Sequence, residues 1–304
     1  MKLTIAGANS FIGKRMVAIA KDQKDIELTL VIRDGSFMEC PRGAKIIHCD
    51  MENYAQLGQL TGSGDIFIDL PWLGSRGADR QNSELQKFNY DCNMAAMRSM
   101  ADVGYKVLFS AGSQAEYGQC HGFITEDTPL NANTEYGKYK VEIFNRTTEL
   151  AKEYGIRFIE PRYFSLYGEG DYEKTLIMSC IEKMKKGLDV DLNECTQLWD
   201  YLYVDDAVEG ILKLCRNEFA EGAYNFATGH YRQLKDYVMD IHAALNSKSR
   251  VRFGVVEYNG LYIDLQPVVD KLKKDADWEY KTSFINGIKE IVGCKNLEKR
   301  GNIK

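Results

Sequence analysis

The sequence predicts an α/β protein: a doubly wound parallel sheet with a smaller C-terminal α/β lobe. Three observations predict it. Short apolar runs alternate with helix-length stretches through the first half of the chain, as parallel strands and their covering helices do. The first apolar run enters a glycine-containing turn that opens a helix. Beyond about residue 160 the alternation gives way to shorter mixed segments.

In chain order, Leu3–Ala6 is the first strand, and Gly13–Ala20 behind the turn is helical. Leu28–Ile32, Lys45–His48 and Ile66–Leu70 follow as apolar strands bounded by turn residues. Glu84–Val103 is a long helix, Lys106–Phe109 a strand, Tyr136–Tyr154 a second long helix and Arg157–Glu160 a sixth strand. The remainder mixes Leu176–Lys186, Tyr201–Val204, Ala207–Arg216, Tyr224–Ala227 and Leu234–Leu245. The chain therefore divides into a core over 1–160 and a lobe mainly over 161–304, interleaved with the core because no sharp linker separates them. The lobe is expected over the carboxyl edge of the sheet, where open α/β sheets place their ligand crevice.

The 304 residues are 44% hydrophobic and 27% charged, with a net charge of -5. This is ordinary for a globular protein and lacks the basic excess of a nucleic-acid binder. The N-terminal MKLTIAGANSFIG has too short and broken an apolar stretch for a signal peptide or anchor. No apolar run is long enough to span a bilayer. The 8 cysteines, Cys294 among them, form no Cys-x-x-Cys pair, and the 4 histidines form no His-Glu-x-x-His. Reduced thiols in a cytoplasmic protein are expected, with no metal.

Residues 3–13 read LTIAGANSFIG. Gly7 follows the strand and Gly13 opens the helix. Glycines let the backbone turn tightly and approach a pyrophosphate, and a helix N-terminus supplies N–H donors and a favourable dipole. Gly7, Asn9, Ser10, Phe11, Ile12 and Gly13 are thus a candidate dinucleotide cradle on a Rossmann-like core; the bland alternative is a plain strand-to-helix turn. In LTLVIRDGS, Arg33 stands at the end of the second strand. An acid there bonds the ribose of NAD, and an arginine accommodates the 2′-phosphate of NADP. NADP is the expected cofactor. NAD is the alternative if Asp34 takes that place or Arg33 is only a solvated charge.

Tyr136 and Lys140 stand four apart in EYGKYK, on one face of a helix. An ammonium beside a phenol favours the phenolate, so the tyrosine can exchange a proton with a sugar hydroxyl or carbonyl. Ser113, in LFSAGSQAEYG after a strand, is the candidate hydroxyl that polarises the same oxygen. With 18 tyrosines the spacing also arises by chance, and Tyr231 with Lys235 repeats it without a strand-borne serine before it. That second copy is expected to be a solvated helix pair.

GANSFIG, GSQAEYG, YGKYK, PRYFSLYGEGD, LWDYLYVDDAVEGI and YNFATGH occur in this order over nearly the whole chain. Together they resemble the extended short-chain dehydrogenase/reductase family, in its nucleotide-sugar epimerase/dehydratase branch. The resemblance implies Ser113, Tyr136 and Lys140 as the catalytic trio. It implies Asp50 and Met51 beside adenine, Leu70 and Pro71 along the cofactor, and Pro161 and Tyr163 near the nicotinamide. It implies Asn89 as a helix asparagine supporting the site and a nucleotide-sugar lobe at the C-terminus. Ser113, Gln114, Ser165 and Trp199 are the candidate substrate contacts. The long helices Glu84–Val103 and Tyr136–Tyr154 match those that pair across a homodimer in the family; alternatively both simply cover the sheet.

The chain departs from the family's pattern at two places that contact phosphate. Ser165 stands for an asparagine, and Trp199 stands for an arginine before Asp200. Trp199 is expected to pack rather than stack on a base. Asp205 and Asp206 are expected as structural or capping carboxylates before a helix at Ala207 rather than acid/base residues. The family's dehydratases carry an Asp-Glu pair after the hydroxyl residue, whereas Gln114 and Ala115 follow Ser113, which argues against dehydration. Reduction of a 4-keto sugar by NADPH is favoured. GSQAEYG with LWDYLYV resembles reductases that make dideoxy sugars, such as CDP-abequose synthase. An NAD-dependent 4-epimerase and a non-catalytic nicotinamide-binding sensor or scaffold are the alternatives.

Overall fold

Lys2–Ala6 (β1) is buried at every residue but the first and pairs in parallel with a strand on each side. A strand so placed, with both faces covered, has no polar face to alternate with. The computed structural model describes residues 1–258, 260 and 262–301, the side chains of 294–301 excepted. The Cys294 thiol lies outside the described residues, and the other cysteines are free. After β1 come Phe11–Ala20 (α1), Glu27–Ile32 (β2), Lys45–His48 (β3), Leu57–Thr61 (α2), Ile66–Asp69 (β4) and Ser83–Asp102 (α3). Val107–Ser110 (β5), Gly112–Ser113 (β6), Glu135–Tyr154 (α4) and Arg157–Tyr163 (β7) follow. The second half contains Leu166–Tyr167 (β8), Leu176–Lys185 (α5), Val190–Asp191 (β9), Leu198–Trp199 (β10), Leu202–Tyr203 (β11) and Val204–Arg216 (α6). It continues with Gly222–Phe226 (β12), Arg232–Gln233 (β13), Leu234–Ala244 (α7), Val251–Arg252 (β14), Asp270–Ala276 (α8) and Phe284–Gly301 (α9).

The main sheet runs β12-β7-β5-β4-β1-β2-β3, with β6 also paired to β7. Its pairings are parallel throughout. One face, through Ile5, Leu30 and Ile68, packs on Met16 and Val17 of α1 and Ile211 of α6. The other, through Ala6, Val31 and Phe67, packs on Leu57 of α2, Met97 and Met100 of α3 and Leu150 of α4. This two-sided cover is the Rossmann-like doubly wound arrangement. A separate core of Tyr167, Ile177, Ile181, Val238, Ile241 and Ile288 joins α5, α7 and α9 in the second half.

The structure moves several boundaries. β7 extends three residues past the expected Glu160 and carries Pro161 inside a strand. The register shows why this is tolerated: β5 pairs with residues 157–159 and β6 with 162–163, so the proline falls in the gap between them. β12 begins at Gly222 and lies at the edge of the main sheet, so the core takes a strand from beyond residue 160. α6 begins at Val204, not Ala207. Asp205 and Asp206 are therefore first-turn residues rather than caps. Asp205 accepts Arg15 Nε at 2.6 Å and Nη2 at 2.5 Å, tying α6 to α1. Asp206 is buried and accepts the Thr282 N–H at 2.9 Å. Tyr231 precedes α7 and is separated from Lys235 by β13, so the two are not a helix pair. Among the described residues no helix is long and apolar enough to cross a membrane, and no group of three or more His, Cys, Asp or Glu could hold a metal.

Candidate active site

The cradle forms at the carboxyl end of β1. Gly7 has φ 73°, a conformation that side chains disfavour, and a Cβ on it would stand 3.0 Å from Pro71 Cγ. Gly13 is tighter: a Cβ there would meet the Gly7 carbonyl oxygen at 2.2 Å and the Ala8 backbone at 2.9 Å. Glycine lets α1 start against the turn itself. Ser10, at the family's middle glycine, has ordinary extended angles (φ -74°, ψ 173°) and its hydroxyl caps α1 by accepting the Gly13 N–H at 3.1 Å. The departure thus costs no backbone strain and adds a cap. With no acidic residue in the first turn, this helix start fits the diphosphate of a dinucleotide.

Around the cradle, Arg33 is exposed just past β2. Asp50 accepts the Asp34 N–H at 3.1 Å, which fastens the loop after β2 to the end of β3, and Met51 packs against the core beneath. Leu70 continues β4 by donating to the Ala6 carbonyl at 3.3 Å. On β7, the Tyr163 ring packs edge-on against Phe226 at 5.6 Å, and its hydroxyl is buried with no hydrogen-bond partner among the described residues. Asn89 is fully buried on α3 and clamps the loop after β4: it accepts the Leu73 N–H at 2.8 Å and donates to the Leu73 carbonyl at 2.9 Å.

Ser113 ends β6, and Tyr136 lies in the first turn of α4. Ser113 is among the groups that face the Tyr136 phenol. Burial raises the phenol's pKa, while Ser113, Arg80 and Arg76 pull it down and Glu116 pushes it up. Lys140, the expected cation beside the phenol, lies on the same helix with its ammonium over the Tyr136 ring. Lys140 Nζ donates to the Ala111 carbonyl at 2.6 Å and sits 3.5 Å over the Trp72 ring, against 5.9 Å from the Tyr136 ring centroid. Burial lowers its pKa to about 8, opposed by Glu116, Asp69 and Glu160.

Beneath Ser113 lies a buried ionic cluster. The Ser113 hydroxyl accepts the Ala115 N–H at 3.2 Å, and Glu116 accepts the Ser113 N–H at 2.6 Å, a reciprocal capping box. Glu116 and Glu160 both accept Arg162 Nε, at 2.7 and 3.0 Å, with all three side chains at 1% exposure or less. Two carboxylates share one guanidinium, so burial and Glu116 together hold Glu160 well above the usual carboxylate range. Arg162 also donates to the Tyr117 hydroxyl at 3.1 Å, which donates to Asn225 of β12 at 2.6 Å. Glu116 is thereby turned inward. Gln114 is half-buried in the turn it shares with Glu116.

The two departures from the family's phosphate-contacting pattern meet each other: Trp199 Nε1 donates to Ser165 Oγ at 2.7 Å. The Trp199 indole packs beside Tyr117, Phe164 and Leu265.

Glu116, Trp72, Arg80 and Asp69 also lie at the site, unmarked by the sequence reading. Ser113-x-x-Glu116 is a capping-box spacing and was available as a signal. The other three had none. Trp72 packs edge-on against Tyr136 at 5.9 Å, and Arg80 Cζ stands 4.9 Å over the same ring. Asp69, at the end of β4, is 1% exposed, with neither carboxylate oxygen hydrogen-bonded among the described residues.

A two-sided parallel sheet with a glycine cradle at its carboxyl edge, followed by a strand-end serine and a helix-borne Tyr-x-x-x-Lys, defines an extended short-chain dehydrogenase/reductase. The chain belongs to the NAD dependent epimerase/dehydratase family, whose sequence pattern matches residues 3–227. It is 29% identical over 154 residues to a CDP-abequose synthase of Salmonella muenchen, covering 48% of this chain and 53% of that protein. It is 24% identical over 212 residues to the dTDP-4-dehydro-6-deoxyglucose reductase of Escherichia coli, covering 67% and 66%. The matches thus span about half and about two thirds of these relatives' lengths. In fold it is similar to a UDP-glucose 4-epimerase of Thermotoga maritima solved with UDP-glucose, with a TM-score of 0.88, 19% identity, and coverage of 98% and 100%.

Proposed function

We propose that the chain reduces the 4-keto group of a nucleotide-linked 6-deoxy sugar, using NADPH. The observation that carries this reading is that Ser113, at the end of β6, faces the Tyr136 phenol in the first turn of α4 and favours its ionisation, with the neighbouring carboxylate, Glu116, engaged by Arg162 and the Ser113 N–H. A proton donor is present without a free acid/base pair for eliminating water. The reductases among the relatives support the same choice.

In this reading Gly7, Asn9, Ser10, Phe11, Ile12 and Gly13 hold the diphosphate, and Arg33 takes the 2′-phosphate. Asp50 and Met51 flank adenine. Leu70, Pro71, Lys140, Pro161 and Tyr163 surround the nicotinamide end, where the bound cofactor supplies the hydride. Ser113 donates a hydrogen bond to the sugar carbonyl oxygen, and Tyr136 transfers its proton there as negative charge develops. Lys140, with Nζ protons beyond the one given to Ala111, orients the cofactor. Gln114, Ser165 and Trp199 line the substrate side. The side-by-side helices α3 and α4, with Tyr90 and Tyr139 rings 5.8 Å apart, are the proposed homodimer face.

The test is to purify the protein without added cofactor, denature it and identify what is released. Release of no nucleotide, with NADPH oxidised only when a 4-keto sugar nucleotide is added, is the expected result. Release of bound NAD and interconversion of C4 epimers would replace the reductase by a 4-epimerase, which uses the same residues with Tyr136 first accepting the proton. Binding of cofactor with no turnover of either substrate would make the chain a sensor or scaffold.

A further inference from the structure

The glycine cradle has two walls. One is α1, which starts at the turn itself. The other is the loop after β4, whose Pro71 stands against Gly7. That loop is fixed by α3: Asn89 clamps Leu73, and Gln86, fully buried, accepts Trp72 Nε1 at 2.7 Å and donates to the carbonyls of Gly74 at 3.0 Å and Asp79 at 2.8 Å. Residues 168–172, between β8 and α5, are pinned to both walls. Glu169 pairs with Arg15 of α1 at 3.4 Å. Two residues on, Asp171 accepts Arg76 of the β4 loop at 3.2 Å, and the same guanidinium lies 4.9 Å over the Tyr172 ring. Gly170, with φ 82°, turns the chain between the two ion pairs. The backbone hydrogen bonds of this segment are local, from the Asp171 N–H to the Gly168 carbonyl and from the Thr175 N–H to the Tyr172 carbonyl. Side chains therefore tie it across the cradle, and a segment held in that way opens more easily than one in a sheet ladder.

We propose that residues 168–172 form a strap over the dinucleotide, latched by Arg76–Asp171 and Arg15–Glu169, which lifts to let the cofactor enter and leave. The inference rests on the reading that the cradle holds a dinucleotide. The two latches are unequal. Asp171 is buried and also accepts the Tyr172 N–H at 2.7 Å and the Thr175 hydroxyl at 3.2 Å. Arg76 thus makes a charge-assisted bond to a carboxylate already withdrawn from water, and adds a stack on the neighbouring ring. The Arg15–Glu169 pair is longer and partly exposed, and Arg15 is held more closely by Asp205, so it adds little. Arg76 is the principal latch. A reductase exchanges its cofactor at every turnover, so the rate at which this strap lifts is an upper limit on the rate of the reaction.

The experiment is stopped-flow fluorescence of NADPH with no sugar present. Mixing gives the association rate constant, and displacement by excess NADP gives the dissociation rate constant; NADH and NAD replace them if NADH is the dinucleotide bound. Arg76→Gln is expected to raise both constants by about fivefold to tenfold. Kd should change by less than about twofold, because the latch is loosened in free and bound protein alike. Arg76→Lys, which keeps the charge and loses the flat face, should fall between. Glu169→Gln should raise both constants by no more than about twofold. Unchanged constants in Arg76→Gln overturn the proposal. So does faster dissociation with unchanged or slower association, which would make Arg76 a cofactor contact and not a latch. Binding of neither dinucleotide would overturn the strap and the functional reading together. The expected rates in a protein that reduces no 4-keto sugar nucleotide would defeat the functional reading and leave the strap standing.

Discussion

Replacing Asp69 by Asn is expected to stabilise the protein, and to do so more strongly as the pH rises. Asp69 follows Phe67 on the same face of β4, so its side chain enters the core toward α3 and α4. It has no hydrogen-bond partner among the described residues, and burial raises its carboxyl from 3.8 to about 8, with Lys140 opposing. Its field also reaches the Tyr54 hydroxyl and Cys92 thiol, which burial keeps neutral. The sign follows from linkage. Between these two pH values the folded chain keeps a proton that the unfolded chain has released. Stability is therefore fully present below about pH 3.8 and lost as the pH rises toward about 8. Each unit is worth about 1.4 kcal/mol, so Asp69 costs at most about 4 kcal/mol more at pH 8 than at pH 5. Asn has the same shape and no such dependence. Allowing for water that reaches the carboxylate, the gain of Asn over Asp should grow by about 2–4 kcal/mol across that window. Urea unfolding of both proteins at the two pH values measures it. A stability difference identical at both would refute the assignment of a buried, protonated carboxyl.

Three further outcomes are expected. Tyr136→Phe should lower kcat by about 10²–10⁴-fold while changing the cofactor Kd by less than about twofold, checked by steady-state kinetics and fluorescence titration. Gly13→Ala places a methyl 2.2 Å from the Gly7 carbonyl oxygen with only backbone around it. It should cost about 1–3 kcal/mol of stability and weaken cofactor binding at least tenfold, the titration again deciding. Arg162→Met leaves Glu116 and Glu160 facing each other without their counter-charge and should cost about 3–5 kcal/mol in denaturant unfolding.

The parts of the fold legible in the sequence are those set by local rules. β1, the turn and α1 could be read from LTIAGANSFIG because an apolar strand, a tight turn and a capped helix each leave a pattern within a few residues. The spacing of Tyr136 and Lys140 correctly placed them on one helix. It did not show that Lys140 faces Trp72 and Ala111, because those groups arrive from β4 and β5. Arg80 and Asp69 were invisible for the same reason: nothing within their own segments says what lies across the site. The expected strand stopped at Glu160, and the gap between β5 and β6 that accommodates Pro161 exists only in the assembled sheet. Of the two expected roles of Asp205 the structural one holds, and its form could not be read because its partner, Arg15, stands 190 residues away.

The bond between Trp199 and Ser165 means that these two sites behave as one design variable. Restoring the arginine of the relatives at 199 alone would remove the indole N–H that Ser165 now accepts and the ring's packing on the cluster that contains Tyr117 and Leu265. Restoring the asparagine at 165 alone would crowd that indole. Any attempt to change either residue has to sample both positions together, and single-site libraries would pass over the compatible combinations.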